Sequence, residues 1–143
     1  MGRGALQANT SGTNNTSVGN FSLANNTIGS SNNAFGFYSL NANTTGNENV
    51  AIGVSSLRNN TSGRYNVAVG TVALRQNTIG ERNTAVGQSA LYNNTTGSNN
   101  SAFGYYSLQS NTIGINNTAI GISSLRANTT GVANTAVGAG AMR

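Results

Sequence analysis

The sequence predicts an all-β fold, a parallel β-solenoid (a β-roll or β-helix) of about eight coils, and three observations carry that prediction. First, Asn15, Asn32, Asn49, Asn66, Asn83, Asn100, Asn117 and Asn134 recur every 17 residues with no insertion or deletion. A fixed short period of this kind is the signature of stacked repeats. Second, the runs of three or four residues between turn residues are too short for helices and fit short strands. Third, the 26 asparagines include no Asn-Gly dipeptide, so tight hairpins are disfavoured and parallel stacking is preferred to an antiparallel meander. Strands stack roughly 4.8 Å apart, which predicts a rod of roughly 40 Å.

The consensus coil reads N-T-A-V-G-x-x-[AS]-L-x-x-N-T-[TIS]-G-x-x. One repeat domain fills residues 1–143, with a partial repeat at 2–14, full repeats at 15–31, 32–48, 49–65, 66–82, 83–99, 100–116 and 117–133, and a partial repeat at 134–143. The leading Asn column and the column Asn9 to Asn128 suit corners, because Asn tolerates the left-handed region and bonds to nearby backbone. Stacked once per coil, their amides can also form ladders along the axis. Gly19, Gly36, Gly53, Gly70, Gly87, Gly104 and Gly121, and a second column from Gly12 to Gly131, are expected to supply positive φ at turns. Two apolar columns are expected to fill the core. One is Val18, Phe35, Ile52, Val69, Val86, Phe103, Ile120 and Val137, which Met1 extends, and the other runs from Leu6 to Leu125 and Met142. Beside them lie columns of only Ala or Ser, Ala34 to Ala136 and Ser22 to Ala141. Uniformly small residues fit either a narrow coil interior or the close approach of two chains.

Composition narrows the function. Asn, Gly, Thr and Ser hold 78 of 143 positions against 36% hydrophobic residues, a balance that would read as disorder if the period did not overrule it. Cys, His, Pro, Trp, Lys and Asp are absent, and the only acids, Glu48 and Glu81, stand 33 residues apart. Zinc sites, thiol chemistry and Ser-His or Cys-His nucleophiles are thereby excluded, a carboxylate pair or calcium site is disfavoured, and a protein without catalytic activity or cofactor is expected. The net charge of +5 comes wholly from Arg and lacks the dense basic stripe of a nucleic-acid binder. No apolar run is long enough to span a membrane, and no Sec-type signal is visible at the start of the chain. Residues 32–46 match 100–114, and 49–63 match 117–131, both at an offset of 68 positions, so four coils were duplicated as a block.

The units NTAVGQSALYNNTTG (83–97) and NTAIGISSLRANTTG (117–131) resemble repeats of phage tail-fibre and tailspike proteins, which often precede an intramolecular chaperone of the endosialidase type. They are also similar to the N-S-V-A-I-G head repeats of YadA-like trimeric autotransporter adhesins, whose period is shorter than the 17 residues here. The resemblance spans essentially the whole chain. It implies a fibrous, extracellular or virion-borne rod, built as an intertwined homotrimer, that projects a surface binding a receptor or matrix.

Columns that vary are expected to face solvent. They carry the candidate contact aromatics Phe21, Phe37, Tyr38, Tyr65, Tyr92, Tyr105 and Tyr106, which suit a carbohydrate, a protein receptor or an interface between copies of the chain. Arg58, Arg75, Arg126 and Arg143 share one column, which fits a solvated stripe, an anionic glycan or a partner, and Arg64 with Glu81 is expected to pair across adjacent coils. Two other functions fit the pattern. The unbroken file from Thr10 to Thr129 admits an ice-binding face, although the position two residues on from each Thr is always Gly. A chain that starts and stops mid-coil without charged or Pro-rich caps also admits end-to-end stacking into filaments.

Overall fold

Eight three-residue strands build a single parallel sheet in a computed structural model that describes residues 2–143. They are β1 (Thr16–Val18), β2 (Asn33–Phe35), β3 (Val50–Ile52), β4 (Val67–Val69), β5 (Thr84–Val86), β6 (Ser101–Phe103), β7 (Thr118–Ile120) and β8 (Thr135–Val137). Each strand pairs only with the strands of the adjacent coils, and the register always joins residues 17 apart, as in Val50↔Val67 and Ala51↔Ala68. The predicted parallel β-solenoid is thus the fold, with no helix among the described residues. Met1, expected to extend an apolar column, lies outside the described residues.

Outside the strands the wall is closed by the same coil-to-coil logic. Leu40 N–H donates to Ser56 O at 3.0 Å and Leu57 N–H to Ala73 O at 2.9 Å, while Gly53 N–H donates to Phe35 O at 2.8 Å. Each Thr of the Thr10–Thr112 file adds a side-chain bond, its hydroxyl donating to the Thr carbonyl of the next coil, for example Thr61 to Thr78 O at 3.1 Å. These hydroxyls therefore belong to the wall.

The interior is narrower and more polar than two apolar columns would make it. Leu23, Leu40, Leu57, Leu74, Leu91 and Leu108 are fully buried, and they pack against the small columns, Ala34 to Ala136 and Ser22 to Ser124. The small residues line the inside of the coil, where space decides their size. The column Val18 to Val137 does not join this core. In each strand only the middle residue points inward, so its neighbours on both sides face outward by the period-two alternation of a strand. Phe35, Ile52, Phe103 and Ile120 are 39–42% exposed, and Val18 and Val137 more so.

The place left by the missing apolar column is taken by asparagine. Asn26, Asn43, Asn60, Asn77, Asn94 and Asn111 are fully buried, as are Asn32, Asn49, Asn66, Asn83, Asn100 and Asn117. In the first ladder Asn60 Nδ2 donates to Asn43 Oδ1 at 2.9 Å and to Gly63 O at 2.9 Å. In the second, Asn66 Nδ2 donates to Asn49 Oδ1 at 3.2 Å and to Gly80 O at 2.9 Å. Its own Oδ1 accepts from both Asn83 N and Asn83 Nδ2. Every donor and acceptor of the amide is used, which is the condition under which a buried amide does not cost stability. The predicted ladders exist, but the Asn columns are not left-handed corners.

The left-handed positions fall elsewhere. The two residues flanking each member of the Ser22–Ala141 column, such as Ser55 (φ 54) and Leu57 (φ 50), adopt positive φ, as does the residue before each leading Asn, such as Tyr65 (φ 60). The Gly19–Gly121 column does have φ between 123° and 139°, as expected. The Gly12–Gly131 column does not. It is glycine for lack of room: a Cβ on Gly63 would stand 2.4 Å from Asn60 Oδ1 and 2.5 Å from Gly80 O.

Candidate functional site

Seen from the axis, the wall divides into a sheet face and a turn face. The sheet face presents the outward residues of β1–β8 and the position just after the next glycine, where Phe37, Val54, Tyr105 and Ile122 are exposed. From the coil of β1 to that of β8 no Arg or Glu occurs in these three outward columns, and Arg3 stands at the head of the third. The result is a mostly apolar, Thr-bearing surface that carries no charge along β1–β8.

The turn face carries most of the aromatic and Arg candidates, held half-buried against the wall. Phe21 and Tyr38, one coil apart, stack with ring centroids 5.2 Å apart, and Phe37 meets Tyr38 edge-on at 4.4 Å. Arg58, on the next coil, lies with its guanidinium carbon 4.6 Å from the centre of the Tyr38 ring. The duplicated block repeats the aromatic pair and its Arg four coils later, with Ser89 in the place of Phe21. Tyr105 and Tyr106 sit with centroids 3.8 Å apart, and Arg126 lies 4.8 Å from the Tyr106 ring centre. The neighbouring Tyr106 is the main cause that holds the Tyr105 phenol above its usual pKa. Between the two stations, Arg75 Nη1 donates to the Tyr92 hydroxyl at 2.7 Å.

Two residues complete this face that the sequence reading did not single out. Gln109 Oε1 accepts from Arg126 Nε at 3.0 Å, and Asn41 Nδ2 donates to Phe21 O at 2.8 Å. Both share the Arg column, so column membership was the available signal. Tyr65 is not part of the group. It lies at another corner under Arg82, whose guanidinium carbon is 5.2 Å from its ring centre. There Glu81 accepts from Arg64 Nε at 2.8 Å, the expected cross-coil pair, and from Arg82 at 3.2 Å. Glu81 raises the Arg64 pKa further. Arg143 is exposed at the end of the last coil.

Among the described residues there is no pocket and no cluster of metal-ligating side chains. The surfaces on offer are therefore extended ones, a sheet face and a turn face parallel to the axis. No family model matches this chain, and neither does any curated protein or solved structure.

Proposed function

We propose that this chain is a non-catalytic, fibrous rod of phage-fibre or adhesin-head type. It associates with copies of itself as a homotrimer outside the cell or on a virion and holds a receptor- or surface-binding face in position. The observation that carries the reading is the outward apolar column from Val18 to Val137 on the sheet face, a column without a charged residue. Apolar side chains recur there once per coil, roughly every 4.8 Å, as a continuous strip rather than as scattered surface residues. An in-register parallel sheet holds them on one surface, and a copy of the same chain offers a matching row with no charge to desolvate. The Ala and Ser columns take no part in that association, because they are enclosed by their own coil. The likeness of the NTAVG and NTTG motifs to fibre and adhesin-head repeats supports the same class.

The test is the mass in solution by light scattering, with negative-stain images of the same sample. The wild type is expected near three chains, and the triple variant Phe35→Thr, Ile52→Thr, Phe103→Thr at a lower mass with its secondary structure intact. A stable wild-type monomer overturns the reading. A trimer that survives the triple variant removes the sheet face from it, and long filaments would favour end-to-end stacking instead.

A further inference from the structure

We infer that the turn face is a binding strip for a linear anionic polysaccharide of the polyuronate class, with two equivalent stations, Tyr38–Arg58 and Tyr106–Arg126, and a linking pair, Arg75–Tyr92. This assignment rests on the rod reading above and names the ligand of its binding face.

Charge is the first ground. The ion pairs among the described residues are Arg64–Glu81 and Arg82–Glu81, both at a different corner. Arg58, Arg75 and Arg126 therefore carry positive charge with no carboxylate partner in a chain that has only two acids. Such a file draws anions from solution, the more so in dilute salt.

The second ground is how the arginines are held. Each is fixed by an aromatic ring: 4.6 Å to Tyr38, 5.8 Å to Tyr92 and 4.8 Å to Tyr106. A cation–π contact engages the cation without using up its N–H donors as a carboxylate would. Arg58 donates no side-chain hydrogen bond among the described residues, and Arg126 spends only Nε, on Gln109. The guanidinium groups of Arg58 and Arg126 are thus positioned and still able to take a carboxylate in a forked hydrogen bond, whereas Arg75 spends Nη1 on Tyr92. Half-buried aromatic rings beside them offer apolar faces to the C–H faces of sugars, and the Tyr hydroxyls, Asn41 and Gln109 offer polar groups to sugar hydroxyls.

The third ground is repetition. The block offset of 68 residues puts the same station twice on one line, four coils or roughly 19 Å apart. A ligand that itself repeats can engage both, and the second contact then gains from the high effective concentration set by the first. Arginines stand on only some of the coils, which suits a polymer with charge on its carboxylated sugars better than a nucleic acid with a phosphate at every nucleotide.

The experiment measures binding of the full chain to alginate, with neutral dextran and single-stranded oligo-dT as comparison polymers. Variants are Arg58→Gln with Arg126→Gln on the strip, and Arg64→Gln with Arg82→Gln as an equal loss of charge elsewhere. Alginate is expected to bind and dextran not to, with the strip variant weakened about tenfold or more and the control variant within about twofold of wild type. Raising salt from about 50 to about 200 mM should weaken alginate binding. Absence of alginate binding, equal loss in both double variants, or tighter binding of oligo-dT each overturns the strip. Light scattering on the same samples separates the two proposals. An unchanged mass with no alginate binding sinks the ligand and leaves the rod, whereas a strip variant that loses mass makes this face a chain–chain contact and sinks the ligand as well.

Discussion

At the scale of single residues, the asparagine ladders set the tolerance of the fold. Asn66 is enclosed, and its amide faces two acceptors, Asn49 Oδ1 and Gly80 O. Asn66→Asp puts a carboxyl where those oxygens require donors. Ionised, it is repelled and buried, so its folded pKa rises above the ordinary value of about 4. The variant is then least destabilised below about pH 4 and progressively more so as pH rises, until the carboxyl ionises in the folded state, with a loss of about 3 kcal/mol at neutral pH. Urea melts of variant and wild type across pH check the sign. The glycines divide in the same way. Gly63→Ala meets backbone and amide oxygens at 2.4–2.5 Å and is expected to cost about 3 kcal/mol or more, whereas Gly140→Ala at φ 65 has nothing within 4 Å and costs about 1 kcal/mol. Thermal melts of the two variants should rank them in that order.

At the scale of the coil, burial is asymmetric between two columns of similar hydrophobicity. Leu74→Ala is expected to cost about 2–5 kcal/mol, because the side chain is fully enclosed. Ile52→Thr, on the sheet face, should change the melting of an isolated chain by less than about 0.5 kcal/mol. Denaturant titrations at low concentration distinguish them. The same contrast explains what was legible in the sequence. The period and the Asn ladders follow from spacing, and the strand direction from the absence of Asn-Gly turns. The assignment of Val18 to Val137 to the interior failed because hydrophobicity does not tell which face of a three-residue strand is inside. Ala34 to Ala136 hold the inward place because the coil is too narrow for anything larger. Left-handed Leu57 or Val72 was equally hidden, since such residues rarely adopt positive φ on their own. Here the next coil holds them, through bonds such as Leu57 N–H to Ala73 O. The turn-face cluster was half legible: the columns were visible, but contacts such as Arg58 on Tyr38 join different columns on successive coils.

At the scale of the whole molecule, the rod is a stack of nearly identical joints, and stability should be close to a sum over coils and their interfaces. Excision of residues 66–82 joins Tyr65 to Asn83 and restores the consensus at the seam, so the shortened chain is expected to fold with only a modest drop in melting temperature. Excision of 66–83 also removes Asn83, breaks one ladder and shortens a coil. It should melt about 10 °C or more below the in-register deletion. Circular dichroism melts of the two deletions provide the comparison.

The in-register stacking also has a mechanical consequence. The backbone and amide bonds between coils lie along the axis, so a pull applied between the two ends passes through every joint in series. A coil that peels away releases 17 residues, at most roughly 60 Å of chain, in exchange for roughly 5 Å of rod. Under tension the molecule should therefore lengthen in even steps of about 50 Å or multiples of it. A filament built from such units would dissipate load coil by coil, and each coil could wind back once the load is removed.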